Sequence, residues 1–242
     1  MINIYKTKVM KNFLDDDFDN PNYNKHHIKN FHMLVCGGTG TGKSNMVSNL
    51  LIQMDDTFGK LIIACKHKDE PIYNMLKSNL KDNCEIIDIE LLPDLNTFAK
   101  TLHGKQVLLV FDDFICCNQD KLEDYVIRAR KFKIMCVFLT QSFFSTSKII
   151  RQNVGYIVLL SMANQKNLTS IVETVGCPVD KQTIKTIIGN ATKFKMNICL
   201  IDVYNPELNE KFRRNFTDYY QIVNEEGEEI VPNMYKTNGI LN

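Results

Sequence analysis

The sequence predicts an α/β fold: a mostly parallel central sheet flanked by helices on both faces. Three observations predict it. Short apolar runs alternate with stretches of helical length between residues 31 and 203. Those runs are apolar nearly throughout, as strands covered on both sides must be. The first of them, "FHMLVC", leads straight into "GGTGTGKS", a glycine-rich turn from strand to helix.

The elements follow in order. "FHMLVC" (31–36) is a strand and 43–54 a helix; "KLIIAC" (60–65) is a strand, followed by a helix over about 71–80. "CEIIDI" (84–89) is a short strand and 94–102 a helix; "QVLLVFDD" (106–113) is a strand, followed by a helix over about 119–130. "KIMCVFLT" (133–140) precedes a short helix over about 146–152. "YIVLLS" (156–161) precedes a helix over 165–175, and "KMNICLIDV" (195–203) is a late strand. Residues 1–30 are polar and uneven, an N-terminal extension or lid; 31–223 form the domain; the tail 224–242 is acidic, then polar, and loosely held.

Composition narrows the function. The chain has 242 residues, 44% hydrophobic and 24% charged, with a net charge of +1, so a broad basic field that would draw one copy onto DNA or an anionic membrane is excluded. No apolar run approaches the roughly 20 residues of a membrane span, and the N-terminus lacks a signal-peptide pattern. The eight cysteines form no Cys-x-x-Cys pair and read as small, reduced core residues.

The chemistry begins at Gly37-Gly38-Thr39-Gly40-Thr41-Gly42-Lys43-Ser44, which fits G-x-x-x-x-G-K-[ST] after a strand and before a helix. Glycines let backbone N–H groups converge on a β-phosphate, and the helix start faces the same anion. Lys43 reaches the β- and γ-oxygens, and the Ser44 hydroxyl is offered to Mg2+. A glycine-rich turn that binds nothing is the bland alternative. Asp112 and Asp113 end an apolar strand: Asp112 is placed to hold Mg2+, and Asp113 to orient or deprotonate water, unless it caps the next helix. Thr140 and Gln141 end the next strand, where they contact a γ-phosphate or its water, or make an ordinary turn.

In their order and spacing, "GGTGTGKSN", "VLLVFDDF", "RARKFKIMCVFLTQSFF" and "KIIRQNVGYIVLL" resemble the FtsK–HerA superfamily of DNA-pumping ATPases. Within it they resemble the poxvirus-type genome-packaging ATPases of large DNA viruses and virophages. The resemblance covers about Phe31 to Leu160. It implies a P-loop NTPase with a RecA-like, FtsK-like sheet, using ATP and Mg2+. Arg130 matches the family's arginine finger acting on a neighbouring subunit, with Arg128 in reserve. Gln141 matches the sensor glutamine, and Arg151 the arginine of an Ile-Arg-x-Asn element that contacts phosphate or a neighbour. Asn45, after Lys43-Ser44, belongs to the packaging-type loop. The implied partners are double-stranded DNA, a homo-oligomeric ring of five or six, and a viral capsid or portal vertex, with no membrane. The implied location is the host cytoplasm at viral assembly sites, or the virion. Asp112-Asp113 departs from the Asp-Glu of FtsK, and Lys131 replaces a frequent histidine.

Two other functions stay open: a HerA-like or plasmid-transfer DNA pump, and a regulatory P-loop switch. Lys66 and Lys68 in "CKHKDE" suit a DNA-facing loop or a solvated one, the latter favoured. "MANQKNLT" fails as a guanine motif, with Gln165 and Asn167 at the deciding positions. His26, His27 and His32 lack metal-binding partners at suitable spacing. Phe143 and Phe144 suit core packing better than base stacking.

Overall fold

The computed structural model describes residues 22–25, 28–161 and 165–222. The described elements, in chain order, are α1 (Asn22–Lys25), β1 (Met33–Cys36), α2 (Lys43–Gln53), β2 (Lys60–Cys65), α3 (Pro71–Leu80) and β3 (Cys84–Asp88). Next come α4 (Leu95–Thr101), β4 (Val107–Asp112), α5 (Asp120–Arg128), β5 (Ile134–Thr140), α6 (Lys148–Asn153) and β6 (Tyr156–Leu159). The rest are α7 (Gln165–Val175), α8 (Lys181–Ala191), β7 (Cys199–Asp202), α9 (Leu208–Lys211), β8 (Phe212–Arg214) and β9 (Asp218–Tyr219).

The strands form one sheet in the order β3-β2-β4-β5-β1-β6-β7-β8-β9. The six from β3 to β6 are parallel, and β7, β8 and β9 continue antiparallel. Alternation along the central strands shows why they are apolar throughout. On β4, Val107, Leu109 and Phe111 face one core, and Leu108 and Val110 face the other. On β5, Ile134, Cys136 and Phe138 share the first core, and Met135, Val137 and Leu139 the second. Helices α4 to α8 cover the first face; α1, α2 and α3 cover the second. A strand buried on both faces has no place for polar residues.

Local signals set the helix starts. Asp94 accepts the Thr97 N–H at 3.0 Å, Ser147 the Ile150 N–H at 3.2 Å, and Asp180 the N–H groups of Gln182 and Thr183 at 2.9 Å each. Pro71 opens α3 at its first turn, where its missing N–H costs nothing.

Several elements depart from the sequence reading, among them α1, α9, β8 and β9, for which no element is expected. Helix α8 is not foreseen, although Ile184, Ile187, Ile188 and Ala191 make a buried stripe at helical spacing. The strand expected over 195–203 is confined to Cys199–Asp202, because Met196 has φ +71, a left-handed conformation that no strand accommodates. The helix expected to run through Arg130 stops at Arg128, and Ala129–Phe132 continue as a 3-10 turn closed by Lys133 at φ +60.

Part of the N-terminal extension is described. Tyr23 is buried, stacks edge-on against Phe58 at 5.9 Å, and accepts from Gln106 Nε2 at 2.6 Å. Phe58 and Gln106 precede β2 and β4, so this piece docks at the N-terminal edge of the sheet. The remainder of the extension, His26, His27 and the tail 224–242 lie outside the described residues. Five cysteines are buried and all eight are free. Among the described residues, no helix is long and apolar enough to cross a membrane.

Candidate functional site: a cleft at the C-terminal edge of the sheet

The sheet order brings the motif residues together. β1 lies between β5 and β6, and β5 separates β1 from β4. All these strands run the same way, so the loop after β1, Asp112-Asp113 after β4, and Gln141 after β5 emerge at one edge. A cleft of about 360 Å³ opens there, lined by Thr39, Gly40, Gly42, Lys43, Ser44, Asn45, Glu70, Asp112, Asp113 and Gln141. Open α/β sheets bind their ligands at such an edge, where strand order switches.

Two glycines in the loop are sterically required. A Cβ on Gly37 would stand 2.6 Å from Thr41 Oγ1 and 2.9 Å from Leu160 Cβ. Gly42 caps α2 at φ +101, a left-handed backbone conformation that strains any residue with a side chain. The loop is tied down elsewhere. The Gly37 N–H donates to the Thr140 carbonyl at 3.1 Å, and Thr41 Oγ1 to the Gly38 carbonyl at 2.8 Å. The Lys43 ammonium donates to the carbonyls of Gly37 and Gly38, each at 3.1 Å, which holds its charge over the loop. Asn45 Nδ2 lies 3.9 Å from Met196 Sδ.

Gln141 meets the loop from the side. Its Oε1 accepts from Thr39 Oγ1 at 3.1 Å, and buried Thr140 accepts the Ser142 N–H at 3.1 Å, which shapes the turn that presents Gln141. Asp112 is 5% exposed, while Asp113 turns the chain at φ +53 and donates its N–H to Asp112 Oδ1 at 3.0 Å. Asp113 makes no side-chain cap bond to the turn that follows, so its carboxylate is left to the cleft.

Two residues at this site are not foreseen from the sequence: Glu70, which lines the cleft, and Tyr73, buried behind Asp112. Glu70 Oε2 accepts from Ser44 Oγ at 3.3 Å. Tyr73, fully buried, donates its hydroxyl to Asp112 Oδ2 and lies 3.5 Å from Ser44 Oγ. Neither belongs to a motif. What could find them is the sheet order, since β2 neighbours β4 and the first turn of α3 therefore abuts Asp112.

The electrostatics favour a cation. Burial pushes the Asp112 carboxyl above its ordinary range; the Tyr73 hydroxyl opposes this, and the charges of Asp113 and Glu70 add to it. Burial, then the Asp112 charge, raises the Tyr73 phenol and keeps it a donor. Among the described residues, no three His, Cys, Asp or Glu form a metal cage of their own. A hydroxyl and a buried carboxylate, with room for phosphate and water oxygens, are what Mg2+ uses in a nucleotide site. The donor set of Ser44 and Asp112 therefore fits Mg2+.

The structure does not bring the remaining predicted residues into this cleft. Arg130 is exposed beside the start of β5, its guanidinium 4.5 Å over the Phe31 ring. The seven residues of β5 separate it from Gln141, about 20 Å at ~3.3 Å per residue. Arg128 is paired with Asp124 four residues earlier. Arg151 donates to the Thr146 carbonyl at 3.0 Å, rests over Phe143 at 5.3 Å, and lines a separate depression with Ser170 and Tyr204. Lys66 pairs with Glu90 at 3.2 Å and Lys68 is exposed. Phe143 is buried, whereas Phe144 is 70% exposed, contrary to the core packing expected of it. Its backbone N–H is held by Asn167 at 3.1 Å, which ties the strand turn down and leaves the ring outside.

No protein-family model matches the sequence, and no curated protein matches it. Solved structures do share its fold. The genome packaging NTPase B204 of Sulfolobus turreted icosahedral virus 2, solved in complex with ATP-gammaS, superposes with a TM-score of 0.58 at 12% identity, over 77% of this chain and 96% of that one. EssC ATPases 2 and 3 of Geobacillus thermodenitrificans give 0.54 at 10% identity, over 79% and 40%. The cytoplasmic domain of the Thermomonospora curvata type VII secretion ATPase EccC gives 0.52 at 14% identity, over 82% and 27%. The chain thus has the mostly parallel α/β fold of these ATPases.

Proposed function

We propose that this chain is an ATP-hydrolysing ring subunit that drives double-stranded DNA into a viral capsid. One observation carries the reading. The cleft gathers Lys43, Ser44, Asp112, Asp113 and Gln141, while Arg130, which matches the family's arginine finger, sits at the opposite edge. Such an arginine serves a neighbour's cleft and cannot serve its own. The likeness to B204 supports packaging, because the chain spans 96% of that viral NTPase but 27% of EccC. The likeness to EssC and EccC supports a second reading, a related ring motor with another substrate.

In the proposed mechanism, the loop N–H groups and Lys43 bind the β- and γ-phosphates. Ser44 and Asp112 would hold Mg2+, which when bound offsets charge on the phosphate oxygens. Asp113 orients the attacking water and accepts its proton; Gln141 holds the same water or the γ-phosphate. Arg130 of the adjoining copy stabilises charge that develops on the transferred phosphoryl group. Near-neutral net charge suits this arrangement, since several copies facing one channel would grip DNA where one copy could not.

The test is ATP turnover and assembly of the purified chain, with and without duplex DNA. Hydrolysis, ring formation with an ATP analogue, and stimulation by duplex DNA are expected. An assembled ring that hydrolyses ATP with no response to duplex DNA would overturn the packaging reading and favour another substrate.

A further inference from the structure

We infer that Glu70 and Tyr73 form a clamp that orients the metal-binding pair Ser44 and Asp112, and so sets the affinity of the nucleotide-loaded cleft for a divalent cation. The inference rests on the nucleotide reading above and deepens it.

Glu70 and Tyr73 share the first turn of α3, where the Tyr73 N–H donates to the Glu70 carbonyl at 3.0 Å. Their side chains diverge onto the two members of the pair. Tyr73 donates to Asp112 Oδ2, leaving Oδ1 with the Asp113 N–H. Glu70 accepts the Ser44 hydroxyl proton at 3.3 Å. A serine oxygen whose proton is held by a carboxylate turns its lone pairs away from that carboxylate, the orientation a hard cation needs. Partners behind the ligands commonly tune metal sites in this way.

Glu70 has an ordinary alternative and does not take it. It stands at the N-cap of α3, with φ −67 and ψ 130, where a carboxylate normally accepts the helix's free N–H groups. It makes no such side-chain bond and reaches Ser44 on another helix instead. Tyr73 is fully buried and needs a partner for its hydroxyl. It finds one in the acid that ends β4, 39 residues away.

The test compares wild type, Tyr73→Phe and Glu70→Gln. ADP binding is measured by calorimetry without metal, and Mn2+ binding by electron paramagnetic resonance at saturating ADP. Both variants keep the shape of the side chain, and thermal melting checks that they fold. Each is expected to bind ADP alone as wild type does and to bind Mn2+ about tenfold more weakly or worse. Raising Mg2+ should relieve their hydrolysis defect in part. Unchanged Mn2+ affinity in both would overturn the clamp. So would a Glu70→Gln variant with wild-type Mn2+ affinity and lost turnover at saturating metal, which would make Glu70 a proton acceptor. Wild type binding no ADP at all would instead sink the nucleotide reading, a separate outcome.

Discussion

At the C-terminal edge of the sheet, residues as far apart in sequence as Thr39 and Gln141 touch in one cleft. At the N-terminal edge, Phe31, His32 and Arg130 also come together, packed against one another. The first edge gathers Lys43 with three carboxylates and leaves room for a ligand. The second lays a cation on an aromatic ring, with no carboxylate paired to it among the described residues. In a parallel sheet each chemical group stays at the end of the strand that carries it. Groups at opposite ends can serve one reaction only if two copies stack edge to edge.

The largest effect should come from the loop. Lys43→Ala is expected to remove ATP turnover below detection, because among the described residues that line the cleft Lys43 is the one cation. Arg130→Ala should lower turnover by about 10³-fold or more and leave binding of a fluorescent ATP analogue intact. The sharper experiment mixes the two inactive proteins. A ring with both contains intact clefts beside intact arginines, so activity should return in the mixture. If Arg130 acted within its own chain, mixing would restore nothing. Arg128→Ala should change turnover little, since that side chain is already paired with Asp124.

Gln141→Ala should act less, about 10²-fold on turnover, the usual cost of one preorganised polar group at a developing charge. Its hydrogen bond from Thr39 also tests the comparison. Thr39→Val should repeat part of the loss if that contact holds the glutamine in place. An unaffected Thr39→Val variant with a slow Gln141→Ala variant would show that Gln141 is positioned by its strand turn alone.

The cleft was legible where function is local in sequence. Gly37 to Ser44 form one turn, and Asp112-Asp113 and Thr140-Gln141 each end an apolar strand, a pattern visible without knowing the neighbours. Glu70 and Tyr73 were not legible, because their roles exist only once β2 lies beside β4. The same logic applies to the fold. Strands buried on both faces announce themselves through unbroken apolar runs, whereas α8 interleaves threonine and a glycine with its buried isoleucines. Met196 shows the converse. It extends an apolar pattern that its positive φ interrupts, and its sulfur instead packs where Gly42 has no side chain.

The smallest effect belongs to the N-terminal edge and concerns stability. His32 is buried beside the start of β1, and its Nδ1 accepts the Cys136 N–H at 2.9 Å. Burial first, then the Arg130 charge, lowers its pKa from 6.5 to about 3. The folded chain therefore holds it neutral, whereas the unfolded chain protonates it below its ordinary value. Its contribution to stability is complete above pH 6.5 and shrinks as pH falls toward the folded value. At pH 5 the loss from this residue is about 2 kcal/mol, from ~1.4 kcal/mol per pH unit. His32→Asn keeps an acceptor for Cys136 but cannot titrate. Urea unfolding at pH 7 and pH 5 should show a smaller drop for that variant by about the same 2 kcal/mol. Equal drops would mean that the imidazole is protonated in the fold and that the Arg130 side of the sheet is more open to water than its packing indicates.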